Sequence, residues 1–179
     1  MASRRFFATA IATAGSLACS HPAPVTSAEP AGLERLRAAT RPYQSIDSAV
    51  ASGYPREVAD CLVHEHHGAM GYHHVNRGYV DAKVDLSRPE ILLYERRPDG
   101  SYRLNGVEFI VPYRFWPRDS VPPTVLGQVM KREDNLKFFF MHVWAWTPNP
   151  DGLFADFHPD VACAEGTSKI FKPYTAPPG

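Results

Sequence analysis

The amino-acid sequence predicts an α+β fold: a mainly antiparallel β-sheet with short N-terminal helices packed on it, in a single domain. Three observations carry that expectation. Apolar residues recur at helical spacing near the start of the chain, between Leu33 and Ser52. From Met70 onward the apolar runs are strand-like. Two of these runs flank Pro98-Asp99-Gly100-Ser101, where a proline that presets φ precedes a glycine that accepts positive φ, which makes a hairpin turn.

Residues 1–28 read as an export segment that stays outside the fold. Ser3-Arg4-Arg5-Phe6-Phe7 leads into an uncharged run from Ala8 to Ala18, then a Pro/Ser/Ala-rich stretch to Pro30. The Ser-Arg-Arg-x-Phe pattern resembles a twin-arginine signal, although Ala8 and Thr9 stand where that signal carries a larger apolar residue and often a lysine. The resemblance implies the twin-arginine export machinery as a partner, a periplasmic or extracellular location, and a cofactor inserted before export. Thr26-Ser27-Ala28 before Glu29 fits cleavage to a soluble product, the preferred reading. Ser16-Leu17-Ala18 before Cys19 resembles an imperfect lipobox, and its alternative is a lipid anchor. The run from Phe6 to Ala18 is too short to span a bilayer, so no transmembrane segment is expected after processing.

Residues 29–42 read as a linker and first helix, 43–163 as the domain, and 164–179 as a loose C-terminal tail. Leu33 and Leu36 lie one turn apart in the first helix, which runs to Thr40, and Pro42 stops it. A second helix spans Ile46 to Ser52, with Ser45 as N-cap and Gly53 as its break. Glu90–Glu95 and Tyr102–Val111 are the strands of the hairpin. Pro117, Pro122 and Pro123 make 112–135 a long excursion with at most a short edge strand near Val125. Leu136–Trp146 is the most apolar run and reads as a central strand covered on both faces. The stretch from Thr147 to Pro159 is rich in turn residues, and His158 belongs to a surface turn.

Composition narrows the function classes. Without its export segment the chain is roughly 150 residues long, enough to bury a core. The 19 basic and 19 acidic residues balance, and removing Arg4 and Arg5 leaves a slight acidic excess. That excludes a nucleic-acid or polybasic membrane surface. Two of the three cysteines, Cys61 and Cys163, remain in the mature chain, and in an oxidising compartment a disulfide between them is the simplest reading. The competing reading makes Cys61 a soft metal ligand.

Five of the eight histidines, His64, His66, His67, His73 and His74, fall between Cys61 and Asn76. Imidazole is the commonest protein ligand for transition metals, so this density points to a metal site. The strands sharpen it. Glu108, in Gly-Val-Glu-Phe-Ile-Val, shares a face with Leu104 and Ile110, while Val107, Phe109 and Val111 line the other. His142 interrupts Phe-Phe-Phe-Met-His-Val-Trp-Ala-Trp and shares a face with Phe140, Trp144 and Trp146. Alternation puts His73 with Val75 and His74 with Tyr72, and selects His73 as the inward-facing member. A buried carboxylate or imidazole needs a partner, a hydrogen bond or a metal. His73, Glu108 and His142, with His64 as a possible fourth ligand, therefore form a candidate site for a divalent zinc, copper or iron ion. The alternative is a buried Glu108–His142 pair with no metal. Met70 adds a soft donor that would suit copper, or simply packs in the core. No His-Glu-x-x-His, Gly-x-Ser-x-Gly or glycine-rich phosphate loop is present.

The segments Gly-Ala-Met-Gly-Tyr-His-His-Val-Asn, Pro-Glu-Ile-Leu-Leu-Tyr-Glu, Leu-Asn-Gly-Val-Glu-Phe-Ile-Val-Pro, Met-His-Val-Trp-Ala-Trp and Asn-Pro-Asp-Gly-Leu-Phe-Ala-Asp-Phe-His-Pro-Asp-Val-Ala-Cys resemble, in their order, a family of uncharacterised exported bacterial proteins. The resemblance spans Tyr43 to Cys163. It implies cysteines at the positions of Cys61 and Cys163 and recurring polar positions at His73, Glu108 and His142, and it implies no activity. A shorter likeness, confined to the Gly-Val-Glu-Phe-Ile and His-Val-Trp segments, is to the oil-body-associated proteins. Three readings follow: a metal-dependent hydrolase or oxygenase with a small-molecule ligand, a metal-binding protein or chaperone for copper, and a structural envelope protein. An enzyme requires an apolar pocket that reaches the metal; a chaperone requires soft ligands near the surface; a structural protein requires neither.

Overall fold

The computed structural model describes residues 28–58, 60–164 and 168–170, the last three for their backbone alone. Residues 1–27 of the export segment, with the twin-arginine pattern and the lipidation site at Cys19, therefore lie outside the described residues. Helix α1 (Leu33–Thr40) buries Leu33 and Leu36, the residues one turn apart that predict it. Pro42 does not end the helical path: it sits in the first turn of a 3-10 helix over Arg41–Gln44, where its missing N–H costs nothing. Helix α2 (Ile46–Ala51) follows, with Ser45 at the N-cap position and Gly53 at φ 95° after its end.

Nine strands follow among the described residues: β1 (Cys61–His64), β2 (Gly68–Val75), β3 (Ile91–Arg96), β4 (Tyr102–Pro112), β5 (Thr124–Val125), β6 (Gln128–Val129), β7 (Lys131–Glu133), β8 (Phe138–Val143) and β9 (Ser168–Ile170). Seven form one sheet in the order β7-β8-β4-β3-β2-β1-β9, antiparallel throughout except for the parallel β1–β9 pair, while β5 and β6 make a separate small hairpin. The α+β class and the helices packed on one face agree with expectation. The tail does not wholly agree, because residues 168–170 add an edge strand. The excursion holds a two-strand hairpin around Val125, and β7 arises from Lys131–Glu133, a charged segment with no apolar pattern to announce it. The turn between β3 and β4 forms as expected, with Gly100 at φ 81° and its N–H donating to the Arg97 carbonyl.

The two faces of the sheet differ in what covers them. One face carries Leu92, Tyr94, Val107, Phe109, Val111, Phe139, Met141 and Val143, sealed by Leu33, Leu36 and Ala49 of the helices. The other carries Ile91, Leu93 and Ile110, flanked by half-buried Val75, Phe138 and Phe140, and no helix among the described residues lies over it. Glu108 and His142 belong to this second face, because Ile91 pairs with Glu108 and Glu108 with His142 across β3, β4 and β8.

Three expected neighbours of the site lie elsewhere. Leu93 pairs with Gly106 but Tyr94 pairs with Leu104, so a bulge at Asn105 switches Leu104 to the helix-covered face, away from Glu108. Strand β8 ends at Val143 rather than Trp146. Beyond it the Trp144 N–H turns to the Leu153 carbonyl, and the Trp146 and Thr147 N–H groups both donate to the Asn105 carbonyl. Trp144 packs instead with Cys61, Ala69, Tyr72 and Val161, and Trp146 lies against the main core. The bulge also fixes Gly106, where an added Cβ would stand 2.5 Å from the Val143 carbonyl oxygen.

Cys61 and Cys163 form a disulfide, with Cys61 fully buried beside Tyr72 and Trp144. The bond disposes of Cys61 as a metal ligand. It closes a loop across 102 positions, worth roughly 4 kcal/mol in the chain-entropy view as an upper figure. Reduction should therefore lower the urea midpoint and shift unfolding free energy by about 2–4 kcal/mol. Paired denaturation curves with and without dithiothreitol measure this, and superimposable curves would contradict a native disulfide.

Candidate metal centre

Period-two alternation puts His73, Glu108 and His142 on the uncovered face from three different strands. Val75, Ile91, Glu108 and His142 form one row across β2, β3, β4 and β8, and His73 stands in the next row opposite Leu93. Diagonal reach closes that step. Glu108 Oε2 lies 3.5 Å from His73 Nε2 and 3.7 Å from His142 Nε2. One ligand atom from each of the three residues lies within 4.8 Å of the other two, the sole such group of three among the described residues.

The charge state follows from burial. His73 is pushed down to about 3 by desolvation and by the neighbouring His142, against a hydrogen bond to the backbone of Gly71 that favours the protonated ring. That bond makes the ring an N–H donor to a carbonyl, as a metal-ligating imidazole requires. Desolvation raises Glu108 above the ordinary carboxylate range, although His142 opposes it. His142 is 1% exposed, and neither of its ring nitrogens has a hydrogen-bond partner. A buried imidazole nitrogen left unpaired costs on the order of 1–3 kcal/mol, so Nε2, on the Glu108 side, calls for a ligand.

His142 has a second neighbour that strand patterns do not reveal. Its Nδ1 lies 3.6 Å from Asp156 Oδ1, and Asp156 also pairs with the Lys131 ammonium. Burial raises the Asp156 carboxyl, but its contacts with His142 and Lys131 outweigh that and leave it below the ordinary value. Asp156 reaches the site because the chain after β8 folds back over β2. Ala69 and His158 exchange both backbone hydrogen bonds, and an added Cβ on Gly68 would stand 2.1 Å from the His158 carbonyl. His158 is accordingly buried at 1% exposure, its Nε2 3.0 Å from the Pro148 carbonyl, and the surface-turn expectation for it is overturned.

The remaining histidines separate cleanly. His64 is outside the group of three: its ring packs on His67 at 4.4 Å and on Phe157 at 5.1 Å, and its Nδ1 accepts the His66 N–H. His74 is more deeply buried than His73, against the expectation that His73 is the inward one. It faces the helix-covered core, with its Nδ1 2.6 Å from the Pro55 carbonyl and its ring edge-on to Tyr94. Both faces are buried here, and alternation alone does not say which is deeper.

A cavity of about 310 Å³ opens onto His73, Glu108 and His142. Its walls are Leu62, Met70, Ile91, Ile110, Phe138 and Phe140, with Asp156 beside His142. Met70 is thus within the lining, available for packing a ligand. Other hollows among the described residues, beside Arg37 and Asn149 and around Gly53 and Asn76, hold no comparable group of ligating side chains.

One further buried acid is invisible to the alternation argument. Glu90, 2% exposed, accepts the Ile110 N–H on Oε2, yet desolvation pushes it up to about 8. A folded-state value above the unfolded one contributes stability that is complete below about 4.5 and lost as pH rises through about 8. At about 1.4 kcal/mol per unit, the span is at most on the order of 5 kcal/mol. In metal-free protein, Glu90→Gln should leave stability near pH 4.5 little changed and become progressively more stable than wild type toward pH 8. A stability difference that stays constant across that range would refute a protonated Glu90.

No family model, curated protein or solved structure matches the chain.

Proposed function

We propose that the chain is an exported, single-domain, metal-dependent hydrolase whose centre is held by His73, Glu108 and His142. The observation that carries this reading is the placement of two imidazoles and a carboxylate at the floor of an apolar cavity, with His142 lacking any hydrogen-bond partner. A structural pair would join His142 to Glu108 at hydrogen-bonding distance, and the 3.7 Å gap is too long for that. A copper chaperone would present soft donors at the surface, but Cys61 is oxidised and the group is buried.

Zinc suits the donor set best. Ligands about 2.05 Å from a tetrahedral ion stand about 3.4 Å apart, close to the 3.5 and 3.7 Å that separate Glu108 from the two imidazoles. Three protein ligands leave the fourth position facing the cavity, the arrangement of catalytic rather than structural zinc. A dioxygen-activating iron centre needs a reductant or an anionic co-substrate, and no lysine or arginine lines this cavity to receive one. Bound there, the metal would polarise a carbonyl and lower the pKa of a bound water to about 7.

The chain's own residues do the rest. His73 stays neutral across physiological pH and offers its lone pair without competition from a proton. Glu108, costly to ionise alone, becomes a favourable anion beside a cation. Asp156, 3.6 Å from Nδ1 of His142, sets a negative charge beside that ring, which increases its basicity. The apolar walls exclude bulk water from the floor. The disulfide supports an oxidising compartment, and no helix among the described residues is long and apolar enough to cross a membrane.

Metal analysis tests the reading. Wild type should hold about one zinc per chain after reconstitution, and saturation at 100 times Kd should raise stability by about 2.7 kcal/mol. Glu108→Ala and His142→Ala should each lose that stoichiometry and stabilisation, while His66→Ala and His67→Ala retain both. Undiminished binding by the first two variants, or no stoichiometric zinc in wild type, would overturn the site.

A further inference from the structure

We infer that the cavity above the candidate centre selects a small uncharged ligand bearing an aromatic or branched aliphatic group, and rejects anions of the same shape. The inference rests on the proposed function for the ligand's role as substrate. The selection itself is a property of the cavity walls in the metal-free protein, because a dication bound at the centre would attract anions.

The first argument is size and surface. A cavity of about 310 Å³ is at the lower end of small-molecule sites, room for one ring system or a branched acyl chain but not for a folded peptide. Phe138 and Phe140 stand edge-to-face with ring centroids 6.3 Å apart, and Phe140 is edge-on to His142 at 5.6 Å. Those rings and the neighbouring Ile91 and Ile110 line the cavity from one face of the sheet, so an aromatic or branched group has apolar contact there. Leu136, 69% exposed, lines the same cavity and marks its mouth.

The second argument is charge. The ionisable groups in the walls are His73, His142 and the carboxyls Glu108, Glu133 and Asp156, with no lysine or arginine among them. Lys131 has its ammonium 5.9 Å from the Phe140 ring centroid, but it is held by Asp156 and by the Phe154 carbonyl 3.2 Å away. An anion entering past Glu133 would meet carboxylates, no free cation and little water, and would leave its hydration unreplaced. A neutral molecule meets none of these penalties.

A matched pair of dyes, each a single fused ring system, tests this on metal-free full-length protein, kept so with EDTA: uncharged 1-naphthylamine and its sulfonated relative 5-aminonaphthalene-1-sulfonate. The uncharged dye should bind with blue-shifted fluorescence at least tenfold more tightly than the sulfonate. Leu136→Glu, at an exposed position the fold does not depend on, should weaken the uncharged dye about fivefold or more. Glu133→Lys should strengthen the sulfonate about tenfold and so narrow the gap. Equal affinity for the two dyes, or insensitivity of the uncharged dye to Leu136→Glu, would overturn the inference. Because no metal is present, failure here would leave zinc binding by His73, Glu108 and His142 intact, and failure of zinc binding would not alter the dye result.

Discussion

The carboxyl group of Glu108 sits on the middle strand of a three-strand row, 5% exposed, and its nearest polar neighbours are two imidazoles just beyond hydrogen-bonding distance. An ionised carboxylate in such a place costs several kcal/mol unless a positive charge compensates it. Burial holds His73 neutral, so it does not supply that charge, and His142 Nε2 stands 3.7 Å away without a hydrogen bond to the carboxyl. The protein therefore has two ways to accommodate Glu108. It can keep the group protonated, as its raised pKa indicates, or bring in a cation. Only the second also satisfies His142, and that shared need makes one metal a better account than two separate structural compromises.

The surrounding fold serves this arrangement through a local irregularity. Asn105 bulges out of β4, and its carbonyl collects the N–H groups of Trp146 and Thr147 while its side chain accepts the Thr147 hydroxyl. That grip ends β8 one residue past His142 and sends the chain back over β2, where the Ala69–His158 pair anchors it. Asp156 lies on the returning segment, between these two anchors. The carboxylate next to His142 Nδ1 thus depends on backbone hydrogen bonds far from it in sequence, and on two glycines, Gly68 and Gly106, that leave room for close approach.

Period two makes the facing of Glu108 and His142 legible in the sequence, because each interrupts a run whose other members are apolar. The same rule reads Leu104 onto the wrong face, since a bulge shifts the phase and nothing in Leu-Asn-Gly announces it beyond the glycine. It also extends β8 to Trp146: an apolar run shows where burial continues but not where hydrogen bonding turns aside. Asp156 is hidden for a different reason. It lies in a turn-rich stretch whose composition suits solvent, and only tertiary pairing with β2 brings it inward. Glu90, at the mouth of a strand, escapes notice because a polar residue beside a proline looks like punctuation. The helices, by contrast, follow from a few local residues, Leu33, Leu36, Ser45 and Gly53, and are predicted nearly to the residue.

The histidine-rich stretch shows why density and geometry are different signals. His67 and His73 are six residues apart, and along an extended strand at about 3.3 Å per residue that separates them by roughly 20 Å. The turn holding His64, His66 and His67 therefore cannot share a metal with His73 while β2 stays a strand. Its rings stack on one another and on Phe157 instead. His74 is excluded by parity, since the neighbour of an inward residue on one face points to the other. Of five clustered imidazoles the sheet can deliver only one to Glu108, and the second must come from a distant strand. His142 on β8 fills that role, directly opposite Glu108 in the register.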